Sequence, residues 1–371
     1  MTGTKTNLLK RIFVLINICV IACFLLVCIL PYINTGKYWY LALTGLIFPL
    51  IVFALLFFIV IWALAKSKWF WLSFIVLLLG TRQIFAVFGF HPPKDFENGK
   101  TESTLRILQW NISSWGRYKN KKKDERNYRP LMLNLVEIQN ADILCFQEFF
   151  EPQHSKQHAK NISAIEKIGY PYHYFVSSND VEKDFETGVA IFSKYPIIDS
   201  AKFEYAKNSS AEHLIYIDIK VKNKIFRIFT THLQSVRFEA EEYQSLSELK
   251  HSNREGLRDS RTIVAKLKKG YTYRYSQAEI VHQQIEASPY PVIVCGDFND
   301  VPNSNTYFKV KGSLQDAFLQ KGFFIGRTFR FISPTLRIDY ILSDKKFSVL
   351  QSQVIHVPYS DHYPVEADLG Y

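Results

Sequence analysis

The sequence predicts an α/β domain behind an all-α membrane region, on two observations. Residues 1–90 are almost wholly apolar, whereas the rest of the 371-residue chain has the mixed composition of a folded globular domain. Within that remainder, short runs rich in Val, Ile and Phe recur, and each carries a polar residue at or near its end. About 270 residues are enough for one large domain with a substantial core.

The apolar region divides into three segments. Residues 12–30 are apolar except for Asn17, close to the ~20 residues a helix needs to cross hydrocarbon. Residues 38–65 open on Tyr38, Trp39 and Tyr40, aromatic side chains suited to a membrane interface. Residues 69–90 open on Trp69, Phe70 and Trp71 and are interrupted by Gly80-Thr81-Arg82-Gln83. An arginine inside a span is costly unless it snorkels or pairs, so Arg82 is expected against the other two helices. With two more apolar segments following and no small-residue cleavage site, the first segment reads as retained, not as a cleaved signal peptide.

Orientation follows from the flanking cations. Lys5, Lys10 and Arg11 precede the first segment, Lys66 and Lys68 follow the second, and only Lys37 lies between. The positive-inside rule places the N-terminus in the cytoplasm and, after three crossings, the remaining chain outside a cell membrane. If the third segment does not cross, the orientation inverts. Residues 91–104, with Pro92, Pro93 and Gly99, read as a linker into a domain over 105–371.

The net charge of +11 does not by itself point to nucleic acid. Nine of the 45 Lys and Arg lie in residues 1–100 against Asp95 and Glu97, leaving 36 basic and 32 acidic residues beyond. Much of the excess therefore flanks membrane segments. Of the five cysteines, Cys19, Cys23 and Cys28 lie in the first apolar segment, and Cys145 and Cys295 lie in strand-like runs. The absence of Cys-x-x-Cys or Cys/His spacing argues against zinc and against a disulfide framework, and leaves buried free thiols as the expectation.

Five runs in the globular part read as strands buried on both faces. Residues 105–111 end in Asn111, 142–148 in Glu148, 225–232 in His232 and 291–299 in Asp297 and Asn299; 337–342 carries Asp339. Strands that deliver polar groups at one end build a site along one rim of a sheet. Helices fit between them. Pro130 suits a first helical turn before Leu131, Leu135 and Ile138, and Ala278, Val281 and Ile285 share one face of 277–287. Residues 236–269 are polar and weakly periodic, as expected of a surface insertion of one or two helices.

Seven short motifs occur in an order that resembles the endonuclease/exonuclease/phosphatase superfamily. They are Gln109-Trp110-Asn111, Gln147-Glu148, the stretch 188–196, Thr231-His232, Gly296-Asp297-Phe298-Asn299, Ile338-Asp339-Tyr340 and Ser360-Asp361-His362. The resemblance runs from about residue 105 to the C-terminus. It implies a four-layer fold in which two β-sheets pack as a sandwich flanked by helices, with the site at one end. It also implies a metal-dependent hydrolase of phosphoric esters. Hard oxygen ligands suit Mg²⁺ or Mn²⁺.

The resemblance implies roles as well. Glu148 would hold the metal with Asn111 beside it, and Asp361 would contribute. His362 would be a general base or a phosphate-stabilising imidazole oriented by Asp339. Asp297 and Asn299 would position the attacking water and bind a phosphoryl oxygen, and His232 would stabilise the developing oxyanion. The stretch 188–196 reads as framework. The basic run over 117–126 suits either a polyanion or lipid head groups, or a solvated loop. Abasic-site endonucleases usually carry Asp where this chain has Ser113, and an outward-facing domain has no access to the chromosome.

The expected function is a membrane-anchored phosphodiesterase acting on nucleic acid or on a phospholipid head group. A phosphomonoesterase on a phosphorylated lipid or small molecule uses the same residues. A catalytically silent scaffold has no physical need for them. The expected partners are the phosphate-ester substrate and the membrane; no protein partner is inferred.

Overall fold

A computed structural model describes residues 2–116, 127–153, 160–178, 184–206, 211–236 and 254–371. The apolar end folds as five helices, where three were expected. α1 (Thr2–Ile29) is, among the described residues, the one helix long and apolar enough to cross a membrane by itself, over Leu8–Tyr32. Those 25 residues extend about 37 Å, beyond the ~30 Å of a hydrocarbon core. The stretch 38–65 breaks into α2 (Trp39–Leu46) and α3 (Phe48–Leu64), bent by 61°. The stretch 69–90 breaks into α4 (Trp69–Leu79) and α5 (Thr81–Val87), bent by 60°. Each pair qualifies as a span only when its halves are taken together.

Each bend has a local origin: Pro49, in the first turn of α3, has no N–H to give the Gly45 carbonyl, and Gly80 ends α4. The short helices are also tied to the globular domain, since the Gly45 carbonyl of α2 accepts from Asn303 Nδ2 at 3.1 Å and the Ala86 carbonyl of α5 accepts from Arg337 Nη2 at 2.8 Å. At the second break a Cβ on Gly80 would lie 2.2 Å from the Phe24 ring, so α1 and α4 approach this closely only because the residue is glycine. Polar side chains tie the helices together. Asn17 Nδ2 donates to Ser73 Oγ at 3.0 Å, Ser73 Oγ donates back at 3.1 Å, and Gln83 Nε2 donates to the Cys28 carbonyl at 2.8 Å. Arg82 sits at the end of the bundle instead of within it. It donates to the Tyr32 hydroxyl, and its guanidinium lies 4.5 Å from the Phe308 ring.

The globular part adds strands β1 (Gly89–Phe90), β2 (Thr104–Asn111), β3 (Ile143–Pro152), β4 (Tyr172–Ser177), β5 (Phe185–Ser193), β6 (Ile197–Phe203) and β7 (Leu214–Val221). It continues with β8 (Lys224–His232), β9 (Val292–Asp297), β10 (Gln315–Asp316), β11 (Phe323–Phe324), β12 (Asp339–Ser343), β13 (Ser348–Val354) and β14 (Val365–Gly370). Its helices are α6 (Arg129–Gln139), α7 (Asn161–Lys167), α8 (Arg254–Glu286), α9 (Asn305–Lys311) and α10 (Ala317–Lys321). Two six-stranded sheets form, in the orders β13-β14-β2-β3-β5-β4 and β10-β12-β9-β8-β7-β6. Each holds one parallel pair, β2 with β3 and β8 with β9, amid antiparallel neighbours.

Three apolar layers hold the sandwich. Leu105, Ile107, Ile143 and Cys145 of one sheet meet Ile217, Ile228, Ile293 and Cys295 of the other. Met132 and Val136 of α6 cover the outer face of the first sheet, against Trp110 and Phe146. Ala278, Val281 and Ile285 of α8 cover the outer face of the second. The result is the expected helix–sheet–sheet–helix stack. Strands covered on both faces lose nearly all exposed side-chain area, which is why the runs read as continuously apolar.

Two expectations need correction. The helix over 277–287 is the end of α8, so the polar stretch 236–269 enters that same helix; 237–253 and the basic run 117–126 lie outside the described residues. Residues 91–104 lead into the globular part and touch it on the way: the His91 N–H donates to the Gly322 carbonyl at 3.2 Å, and Lys100 Nζ lies 2.7 Å from Asp142 Oδ1. Finally, β3 does not stop at Glu148 but continues to Pro152.

Candidate active site

The C-terminal ends of both parallel pairs reach the same rim of the sandwich. In register, Asn111 lies opposite Gln147, His232 opposite Asp297, and Asp297 opposite Asp339. Two hydrogen bonds lock the sheets together beneath that rim: Gln109 Nε2 to Asp339 Oδ1 at 2.9 Å, and Gln147 Nε2 to Thr230 Oγ1 at 2.8 Å. A Cβ on Gly296 would fall 2.3 Å from the Thr231 carbonyl, so the glycine before Asp297 permits β8 and β9 to close at the site.

Glu148 reaches the rim through a bulge. The β3–β5 register shifts between Phe146 and Phe149, and Glu148 has φ 49°, a left-handed conformation rare for a residue with a side chain. Its backbone N–H donates to Glu212 Oε2 at 3.0 Å, and its Oε1 accepts from Asn111 Nδ2 at 3.2 Å. Asn111 Nδ2 also donates to Asp297 Oδ2 at 3.1 Å, while its Oδ1 accepts from the Ser113 N–H at 3.0 Å. The backbone donor at Ser113 fixes which amide atom is oxygen, so Asn111 turns its NH₂ toward the carboxylates. Asn111 Oδ1 thus already accepts one hydrogen bond and keeps one lone pair.

Asp297 occupies the middle of the constellation. Its Oδ2 lies 3.6 Å from both His232 Nε2 and His362 Nε2, and its Oδ1 accepts from the Asn299 N–H at 2.8 Å. Asn299 itself has φ 52° and donates through Nδ2 to the Leu233 carbonyl at 3.0 Å. His362 Nδ1 donates to Asp339 Oδ2 at 2.9 Å, and the Asp339 N–H is held by Thr328 Oγ1 at 3.2 Å. Asp297, Asp339 and His362 can bring one ligand atom each within 4.8 Å of one another. Asp361, half-buried beside them, accepts from Ser360 Oγ at 3.1 Å, and the same hydroxyl lies 2.7 Å from the Asn111 carbonyl.

The electrostatics follow from burial and crowding. Burial would lower the His362 pKa, but the charges of Asp339 and Asp297 and the Asp339 hydrogen bond outweigh it, raising the imidazole from 6.5 to about 10. His232 rises from 6.5 to about 9 against the same burial penalty, through Glu212, Asp297 and Glu148. The Glu148 carboxyl is moved up by burial and by Asp361 and Glu212, with His232 opposing. Asp297 is moved up by burial and by Asp339, with the two histidines opposing. Both imidazoles are therefore held between carboxylates that favour their protonated form.

Glu212 is the residue that sequence reasoning missed. Its Oε2 joins His232 Nδ1 at 3.1 Å to the Glu148 backbone, so it orients one histidine and pins the bulge. It lies in the turn before β7 and belongs to no motif. The only signal was an acid directly ahead of an apolar strand.

A family model described as "Endonuclease/Exonuclease/phosphatase family" matches residues 108–362. The chain belongs to the endonuclease/exonuclease/phosphatase family. As a member of this family it is a hydrolase of phosphoric esters. A second model, a domain of unknown function (DUF8431), matches residues 10–87. Among solved structures, the catalytic domain of human Nocturnin with bound sulfate is similar over 73% of this chain and 96% of its own, at 18% identity and TM-score 0.51. An endonuclease/exonuclease/phosphatase from Beutenbergia cavernae is similar over 72% of each chain, at 17% identity and TM-score 0.50. D. rerio TDP2, humanized by 14 mutations, is similar over 72% of this chain and 100% of its own, at 16% identity and TM-score 0.50. At such identities these likenesses speak to fold alone. No curated protein matches the chain.

Proposed function

We propose that this family member is a divalent-metal-dependent phosphodiesterase held in a cell membrane by residues 1–90, with 91–104 joining them to a catalytic domain over 105–371. The observation that carries the reading is Asp297, a buried carboxylate placed between two imidazoles and one amide donor. Diester hydrolysis needs a positioned water, donors for phosphoryl oxygens and a proton for the leaving alcohol. Asp297 orients the water and accepts its proton, and the Asn299 N–H fixes that carboxylate. The imidazolium groups of His362 and His232 donate to the phosphoryl oxygens where negative charge builds. Asp339 and Glu212 hold them in that orientation. The water oxygen forms the new bond to phosphorus and the bond to the alcohol oxygen breaks; that oxygen takes a proton from one imidazolium, which the proton held on Asp297, 3.6 Å from each ring, then replaces.

Glu148 and Asp361 are the residues suited to a metal. Their carboxylates lie in one another's field, and Glu148 keeps 38% of its side chain exposed. Hard oxygen donors carrying excess negative charge fit Mg²⁺ or Mn²⁺. Asn111 orients Glu148 and Asp297 through its NH₂. When bound, the metal neutralises a phosphoryl oxygen and lowers the barrier to attack. In a direct assay with Mg²⁺, a soluble diester such as bis(p-nitrophenyl) phosphate is expected to be hydrolysed faster than p-nitrophenyl phosphate, and chelation should abolish turnover. Preference for the monoester would make the protein a phosphomonoesterase.

A multi-pass anchor with an extracytoplasmic catalytic domain is part of the same proposal. Phe13 packs on Phe58 and Trp62, which supports Lys10 and Arg11 sharing one end of the bundle with Lys66 and Lys68. The catalytic domain meets the other end, where Asn305 Nδ2 donates to the Pro31 carbonyl at 2.7 Å. With cations inside, that domain faces out. Protease added to spheroplasts should digest it and spare an apolar N-terminal fragment; complete protection would reverse the orientation.

A further inference from the structure

The membrane helices enter the bundle beside the catalytic rim. Leu46, the last residue of α2 before the bend into α3, packs against a buried cluster of Val301, Phe329, Leu336 and Ile338. Phe329 in turn forms an isolated antiparallel bridge to His362, and its ring lies 5.0 Å from that imidazole. The cluster on which Leu46 packs thus includes the ring that touches a catalytic histidine.

Two segments of the catalytic domain carry apolar side chains outward. The excursion between Phe329 and Leu336 is closed at its base by the Phe329 N–H bond to the Leu336 carbonyl at 3.1 Å. At its tip Phe331 is 46% and Ile332 59% exposed. Ile332 has φ 66°, a conformation that is strained for a β-branched residue. Arg330 fastens the excursion to the site, donating from its backbone to the Asp361 carbonyl and from Nη1 to the Ser360 carbonyl, each at 2.8 Å. The second segment is β11, whose Phe323 and Phe324 are exposed. Phe324 lies 6.3 Å from Phe53 of α3, between one and two turns into that helix.

We propose that the substrate is a phospholipid of the bilayer that holds α3, its head-group phosphodiester presented to the rim over Phe331 and Ile332. This rests on the membrane-anchored phosphodiesterase reading above. Strained, exposed apolar side chains are costly in water but are at home at the boundary of head groups and acyl chains. The second exposed segment reaches a helix that requires lipid, through Phe324 and Phe53. A nucleic-acid track would instead need cations and stacking rings leading into the site; among the described residues the excursion offers Arg330, whose Nη1 the Ser360 carbonyl already holds, and turns Phe331 and Ile332 outward at its tip. Hydrolysis adds water across the P–O bond and yields an alcohol and a monoester, one of which keeps the acyl chains and stays in the membrane.

The test uses the full chain reconstituted in phosphatidylcholine vesicles doped with labelled phosphatidylglycerol and phosphatidylethanolamine. Bis(p-nitrophenyl) phosphate and single- and double-stranded DNA are assayed alongside. Lipid hydrolysis with Mg²⁺ is expected. In Phe331→Ser/Ile332→Ser the ratio of lipid to soluble-diester turnover should fall roughly tenfold or more, and Phe331→Leu/Ile332→Leu should retain it. An unchanged ratio in the serine variant, or hydrolysis of DNA but of no lipid, overturns the lipid proposal while leaving the phosphodiesterase reading intact. No turnover of the soluble diester by wild type removes that reading itself.

Discussion

Glu148→Gln is expected to lower phosphodiester turnover at saturating Mg²⁺ by about 10³-fold with no change of fold. The substitution keeps the shape and the oxygen that accepts from Asn111 Nδ2 at 3.2 Å, and the backbone N–H to Glu212 does not depend on the side chain. What it removes is a charge. Without it, Asp361 alone remains to hold a divalent cation, and a site that depends on that cation loses several kcal/mol of transition-state stabilisation. The left-handed backbone at Glu148 and the register shift around it indicate strain, a cost that a structural surface carboxylate would not warrant. Turnover measured beside the thermal unfolding midpoint checks this. A variant within a few-fold of wild type would take Glu148 out of the metal site.

His362→Ala and Asp339→Ala should each reduce kcat by roughly 10²–10³-fold, and the double variant should lose little more than either alone. The physical reason is that Asp339 acts through His362. Its Oδ2 fixes Nδ1 at 2.9 Å and, with Asp297, offsets the burial that would otherwise discharge the ring. Remove Asp339 and the imidazole is free to turn and to lose its proton; remove His362 and Asp339 has nothing to orient. Asp339 also accepts from Gln109, so Asp339→Asn with measured stability separates lost orientation from loss of the bond between sheets. Losses that multiply would show the two residues to be independent.

Much of the catalytic half was legible because chemistry and burial coincide there. The runs ending at Asn111, His232 and Asp297 could be read as strands since both faces are covered and most positions before the last are apolar. Their polar ends stood out against that background. Glu148 was found by its motif, but its place in a bulge was not, because a bulge depends on what the neighbouring strand does. Glu212 escaped for a related reason. Its partners, His232 and the Glu148 backbone, are distant in sequence, and no local pattern records a bond made across the fold.

The apolar end, the strand-rich α/β domain and the polar residues that end its strands could be read from the sequence, Glu212 excepted. These are properties of composition, periodicity and motif order, which burial imposes residue by residue. The tertiary structure alone decided how Asn111 presents its amide, since the Ser113 N–H claims the oxygen. It also decided what the short apolar helices hold: Gly45 and Ala86 give their carbonyls to Asn303 and Arg337 of the catalytic domain, some 250 positions away. The breaks themselves have local causes, Pro49 in one segment and Gly80 in the other, but the bonds made across the fold leave no trace in the local pattern.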